Sequence, residues 1–144
     1  MTGIKGHGRL VIQNNLAAID QLAEFFNGIG AEQNWSADEL FDINLCVEEA
    51  VVNVIVHGYE DNAEHQIEVT ADYGATAVTI TIVDDGIPYN PLKAKGANIY
   101  AAPEERTPGG LGVHLVRALM HTLTYSRDNG RNRLSMTKSL GAGI

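Results

Sequence analysis

Glu49 and Asn53 stand four residues apart in the run FDINLCVEEAVVNVIVHGY, with Asp42 before them and His57 after. On an α-helix, which turns by about 100° per residue, these four polar side chains fall within a sector of roughly 80°. Phe41, Ile43, Leu45, Cys46, Val47, Ala50, Val51, Val52, Val54, Ile55 and Val56 fill most of the remaining surface. The helix is therefore expected to be largely buried, with a carboxylate and an amide directed into one space. Burying such groups unpaired is costly, so either they satisfy each other and the backbone or the space holds a ligand. An amide oxygen suits Mg²⁺, and a carboxylate beside it can take a proton from a hydroxyl or orient a water. Asp42 is expected near the helix start for dipole and solvation reasons, and His57 to pack or cap near the end. Glu48, about 100° from Glu49, faces solvent.

A second constellation is Ile82-Val83-Asp84-Asp85-Gly86-Ile87-Pro88. A carboxylate where a buried strand opens into a glycine turn can accept a hydrogen bond from an amino group in a pocket, and Gly86 lets backbone approach a flat ring. Asp84, which continues the strand, is the better pocket candidate; an ordinary Asp-Gly turn is the alternative. The third constellation is Pro108-Gly109-Gly110-Leu111-Gly112-Val113-His114-Leu115. Glycines running into a helix start leave unblocked amides that bind anions; a simple hinge would look the same. The Lys and Ser/Thr of a P-loop, the three-glycine fingerprint of a dinucleotide fold and the usual protein-kinase signatures are absent.

Positioning these groups requires a particular set of elements. Arg9 to Gln13 reads as a strand, and Asn14 or Asn15 can cap a helix through Leu16, Ile19, Leu22, Ala23 and Phe26, ended by Gly28 and Gly30. Ser36 and Glu39 form a capping box opening the second helix, which runs to about His57 and stops at Gly58. Gln66 to Tyr73 and Ala77 to Val83 read as a hairpin around Gly74. A stretch from Gly86 to Gly110, rich in Gly and Pro, suits a lid or binding loop. Leu111 to Thr122 has helical spacing, and Thr124 to Arg127 with Arg133 to Thr137 make a second hairpin across Asp128-Asn129-Gly130. The order predicts an α+β fold, with helices layered on one face of a mixed, mostly antiparallel sheet.

The 144 residues fit a single domain, spanning 1–144. No apolar run approaches the length of about 20 residues that a span needs, and MTGIKGHG carries no apolar signal region, so a cytoplasmic protein without a membrane is expected. Cys46, the sole cysteine, lies among apolar neighbours and reads as a buried thiol. Net charge is −8, yet residues 1–116 carry five basic against 17 acidic residues, whereas from Arg117 onward five basic residues face only Asp128. The acidic body argues against nucleic-acid binding. The basic end either faces a phosphate or acidic partner or lines a solvated strand face.

The three constellations occur in an order that would supply metal and base, base-ring contact and phosphate contact for one nucleotide. EEAVVNVIVHGYE, VDDGIP and GGLGVHLVRALM resemble the N, G1 and G2 boxes of the GHKL ATPase superfamily, over about Arg9 to Leu140. HGYE after the N box and GGLGVHLVR in the G2 box are most similar to the anti-sigma-factor serine/threonine kinases of partner-switching systems. The resemblance implies the Bergerat ATP-binding fold, a two-layer sandwich with a nucleotide lid at about 86–110, and ATP with Mg²⁺ as cofactors. It implies Glu49 as the base activating the attacking hydroxyl, Asn53 as the Mg²⁺ ligand and Asp84 as acceptor for the adenine amino group. Gly86 and Pro88 would lie along the ring, and Gly109, Gly110, Leu111 and Gly112 at the phosphates. The activity implied is phosphorylation of a serine or threonine on an anti-anti-sigma (STAS-type) partner in competition with a sigma factor; a homodimer is a further expectation. The alternative is a nucleotide-responsive module that sequesters a sigma factor or other regulator with little catalysis.

The chain departs from the family pattern in places. Pro88 replaces the second glycine of Asp-x-Gly-x-Gly, and GRNRLSMTK stands where many members carry an adenine-side threonine. Either Asn132 takes that place or the contact is lost. Arg106 is the nearest basic residue to the glycine motif; it serves the phosphates or is a solvated loop arginine.

Overall fold

The computed structural model describes residues 4–93 and 110–141. Five strands form one sheet in the order β1-β2-β3-β5-β4: β1 Gly6–Gln13, β2 Gln66–Tyr73, β3 Ala77–Asp84, β4 Thr122–Asp128 and β5 Arg131–Ser139. Every pairing among the described residues is antiparallel, so the mixed sheet expected from the sequence is here purely antiparallel. Among the described residues three α-helices, α1 Ile19–Gln33, α2 Ala37–His57 and α3 Gly110–Leu119, accompany it, with α2 packed against both α1 and α3.

Strand alternation decides which residues meet the helices. Ile67, Val69 and Ala71 on β2, Val78, Ile80 and Ile82 on β3 and Met136 on β5 are fully or almost fully buried. The core they share includes Leu22 and Phe26 of α1, Ile43, Cys46, Val47 and Val51 of α2 and Val116 of α3. The other sheet face is polar, with Thr79 bonded to Thr137 and Thr81 to Ser135 across the β3–β5 ladder, both at 3.0 Å. Asp84 occupies the same alternate row as Val78, Ile80 and Ile82, which turns its carboxylate toward the helix layer.

Two helix boundaries differ from the sequence reading. Asn15 caps a 3₁₀ turn at Leu16–Ala18 rather than α1, leaving Leu16 59% exposed; Ala23 is exposed as well. Gly28 and Gly30 lie inside α1, which ends at Asn34 in the left-handed conformation, φ 57°. Gly30 serves packing instead: a Cβ there would sit 3.1 Å from the Trp35 ring and 3.2 Å from Leu40.

The start of α2 follows the expectation, with Ser36 Oγ accepting from Glu39 N–H and Glu39 Oε1 accepting from Ser36 N–H. Glu39 Oε2 also accepts from Gly141 N–H at 2.7 Å, tying in the last described residue. These backbone donors hold the Glu39 carboxyl below its usual range. A carboxyl depressed on folding stabilises the protein above its unfolded value and loses that contribution as pH falls through the folded one. Glu39→Gln should therefore flatten the acid limb of the stability-versus-pH curve below about pH 4.3, measured by denaturant unfolding; an unaltered limb would remove Glu39 from acid sensitivity.

The α2 surface is less buried than its composition suggests. Phe41 and Val56 are 66% and 51% exposed, because α1, α3 and the sheet leave the outer side of this helix open. Cys46 is fully buried, and desolvation pushes its thiol up to about 11, the inert state expected of a core cysteine.

Candidate nucleotide site

A cavity opens between α2, the C-terminal end of β3, the turn after it and β4–β5. Its walls are mainly apolar, from Ala50, Val54, Ile82, Val116, Leu123 and Leu134, and three polar side chains buried in the fold, Asn53, Asp84 and Asn132, face it. Asn53 is 7% exposed, and its side-chain amide makes no hydrogen bond among the described residues. The amide lines the cavity with its hydrogen-bonding groups open to a ligand.

The polar stripe on α2 divides. Asn53 faces the cavity; Glu49, one turn earlier, is half-exposed and does not line it. Asp42 pairs with Lys138 of β5 at 3.3 Å, and Lys138 also donates to the Leu119 carbonyl at the end of α3. His57, the last residue of α2, is half-buried, and Glu48 is exposed.

Asp84 ends β3 at 5% exposure. Its Oδ1 accepts from the Gly86 N–H and from Asn132 Nδ2, both at 2.9 Å, while among the described residues nothing donates to Oδ2. Burial raises the carboxyl above its usual value, and the Asn132 and Gly86 donors oppose that. Gly86 is buried behind the cavity rather than along its wall. Its carbonyl accepts from Arg127 at 2.7 Å, and the next N–H, of Ile87, donates to the Gly58 carbonyl at 2.7 Å. Pro88 is exposed, and Tyr89, Pro91 and Leu92 complete the cavity.

Behind the turn, His65 Nδ1 bonds Asp85 at 3.0 Å and Nε2 bonds Asp61 at 2.8 Å, with the ring stacked on Tyr59 at 4.4 Å. The two carboxylates raise the His65 pKa, and the ring clips the α2–β2 connection to the turn that presents Asp84. The basic residues from Arg117 onward are used in the same way. Arg117 donates to the Leu92 carbonyl, Arg127 to Gly86 and Lys138 to Leu119, whereas Arg131 and Arg133 are exposed.

Gly110, Leu111 and Gly112 form the first turn of α3, where backbone N–H groups are free of intrahelical bonds. Gly109, Arg106 and most of the expected lid lie outside the described residues. Reading the residues alone missed the saturation of the Asn132 amide and the part of Tyr125; both depend on strand register, which pairs Asp84 with Asn132 and Tyr125 with Leu134.

The donor set fits a purine nucleotide: an unengaged carboxylate oxygen in an apolar slot, a neutral amide beside it and a helix start nearby. Asn53 carries an amide oxygen of the kind that suits Mg²⁺, and among the described residues there is no cluster of three His, Cys, Asp or Glu side chains for an all-protein metal cage. None of the described helices is long and apolar enough to cross a membrane.

Comparisons with known proteins agree with this fold. Residues 12–138 match the family model of the histidine kinase-like ATPase domain. The chain is 32% identical to the serine/threonine-protein kinase BtrW of Bordetella bronchiseptica over 109 residues, 76% of this chain and 77% of that protein. It is 30% identical to the anti-sigma F factor of Clostridium perfringens strain SM101 over 111 residues, 76% of this chain and 79% of that one. Among solved structures, the RsbU and RsbW domains of Rv1364c from Mycobacterium tuberculosis superpose with a TM-score of 0.68 at 17% identity. The match covers 94% of this chain but 33% of that one, a likeness of fold. With its three ordered boxes, its fold and these relatives, the chain belongs to the histidine kinase-like (GHKL) ATPase family, in the group of anti-sigma-factor serine/threonine kinases.

Proposed function

We propose that this protein binds ATP with Mg²⁺ in the cavity between α2 and the β3 turn and phosphorylates a serine or threonine of an anti-anti-sigma (STAS-type) partner in the cytoplasm, competing with a sigma factor. The observation that carries the reading is the pair of buried polar groups with unmet hydrogen-bonding capacity, Asn53 and Asp84 Oδ2, facing one apolar cavity. Asp84 accepts the adenine amino group, with Tyr89, Leu92 and Val54 packing on the ring. Asn53 offers its amide oxygen to the metal, and the first turn of α3 offers backbone N–H groups to the phosphates. Bound Mg²⁺ neutralises charge on the transferred phosphoryl group, and phosphoryl transfer otherwise asks for alignment. Glu49, half-exposed one turn from Asn53, takes the proton of the attacking hydroxyl.

Incubation with labelled ATP, Mg²⁺ and a purified STAS-type partner tests this: label on a partner serine or threonine supports the kinase, and a stable complex without transfer points to a sequestering module. Asn53→Ala should weaken ATP binding in Mg²⁺ by roughly tenfold or more and leave the weaker Mg²⁺-free binding nearly unchanged. Equal ATP affinity with and without the metal in both proteins would contradict the Asn53 assignment.

A further inference from the structure

Asn132 is buried at 6% exposure beneath the cavity, and each of its hydrogen-bonding positions is used. Nδ2 donates to Asp84 Oδ1 at 2.9 Å and to the Ile87 carbonyl at 2.8 Å. Oδ1 accepts from the Tyr125 hydroxyl at 2.5 Å and the Tyr89 N–H at 3.3 Å. An amide has two donors and two acceptor lone pairs, so this one has no capacity left for a base. Its orientation is also determined: a flip would set Nδ2 against the Tyr89 N–H donor and Oδ1 against two acceptors, the Asp84 carboxylate and the Ile87 carbonyl.

We propose that Asn132, oriented by the Tyr125 hydroxyl, is a positioning residue that sets adenine selectivity by holding Asp84 with Oδ1 engaged and Oδ2 presented to the purine 6-amino group. The inference rests on the ATP-binding reading above, and it assigns Asn132 a place behind Asp84 rather than against the ring. Two features make the carboxylate depend on it. Asp84 is desolvated and lies next to Asp85, both of which disfavour its charge. The opposing influences are the Asn132 amide, the Gly86 N–H and, more weakly, Arg127. Without the amide, Oδ1 keeps only the Gly86 donor and the carboxyl group is free to turn about its Cβ–Cγ bond. The acceptor then no longer meets the exocyclic amine in one direction. The Tyr125 hydroxyl acts one bond further back, across the β4–β5 ladder, where Tyr125 is diagonal to Asn132.

The test compares ATP with purine riboside triphosphate, which lacks the 6-amino group and keeps every other contact. Competition against a fluorescent ATP analogue gives both affinities for the full-length protein, for Asn132→Leu and for Tyr125→Phe. The unsubstituted protein should prefer ATP by roughly tenfold or more. Asn132→Leu should reduce that preference to within about twofold, mainly by weakening ATP, and Tyr125→Phe should reduce it in the same direction by a smaller factor. Tyr125→Phe keeps the ring in the cavity wall, so it remains informative if Asn132→Leu fails to fold. Equal weakening of both nucleotides in the variants, or an unchanged preference, overturns the proposal and leaves Asn132 as packing. If the unsubstituted protein binds neither nucleotide, the ATP-binding reading itself fails; if it binds both equally, the carboxylate does not read the amine and the proposal alone fails.

Discussion

Glu49→Gln is expected to slow phosphoryl transfer to the partner by about 10²–10⁴-fold while leaving ATP affinity within about threefold of the unsubstituted protein. The separation follows from geometry. Glu49 stands half-exposed on α2 and does not line the cavity that Asn53 and Asp84 share, so its loss removes no contact to the base. Glutamine keeps the length and helix preference of glutamate but cannot accept the hydroxyl proton. Single-turnover transfer of labelled phosphate, beside nucleotide titration of the same preparations, reads the two quantities independently. Unchanged transfer would strip Glu49 of the base role, whereas parallel loss of binding and transfer would place it among the nucleotide contacts. Asn53→Ala should give the complementary pattern, with a binding defect that depends on Mg²⁺.

Local signals carried much of this arrangement. The Ser36–Glu39 capping box and the Gly58 stop bound α2 as expected, since each is decided within one turn of chain. Likewise Asp84 is placed by alternation with Val78, Ile80 and Ile82, a period of two visible in the sequence. What stayed hidden depends on contacts distant in sequence. Asp42 and Lys138 lie on α2 and β5 and meet only when the last strand closes the sheet; no spacing rule pairs them. Asn132 could be placed near the base, but its saturation by Asp84, Ile87, Tyr89 and Tyr125 requires the register of β3, β5 and β4. Glycine was the least legible residue, because one type serves two purposes. Gly28 and Gly30 look like helix stops, yet the stop is Asn34, and Gly30 makes room for Trp35 and Leu40.

Gly86 shows the second purpose most sharply, and Gly86→Ala should be among the most damaging single changes to the described turn. A Cβ at this position would lie 2.2 Å from the Gly58 carbonyl oxygen and 3.0 Å from Asp84 Oδ1. Gly86 does not appear among the residues of positive φ, so the requirement is close approach between the end of α2 and the β3 turn. Backbone must move to admit the methyl group, and three bonds depend on the present spacing: Ile87 N–H to Gly58, Gly86 N–H to Asp84 and Arg127 to the Gly86 carbonyl. Overpacking of this kind costs about 1–3 kcal/mol, and disturbing the buried bonds adds to it. A Tm lower by roughly 5–10 °C is expected, with ATP affinity reduced tenfold or more well below the transition because Asp84 is carried with the turn. Gly28→Ala is the matched control, since nothing lies within 4 Å of its Cβ position and alanine favours a helix interior by up to about 1 kcal/mol. A Gly86→Ala protein that melts and binds ATP as the unsubstituted one does would show that the turn yields freely, and the α2–β3 contact would then lose its part in presenting Asp84.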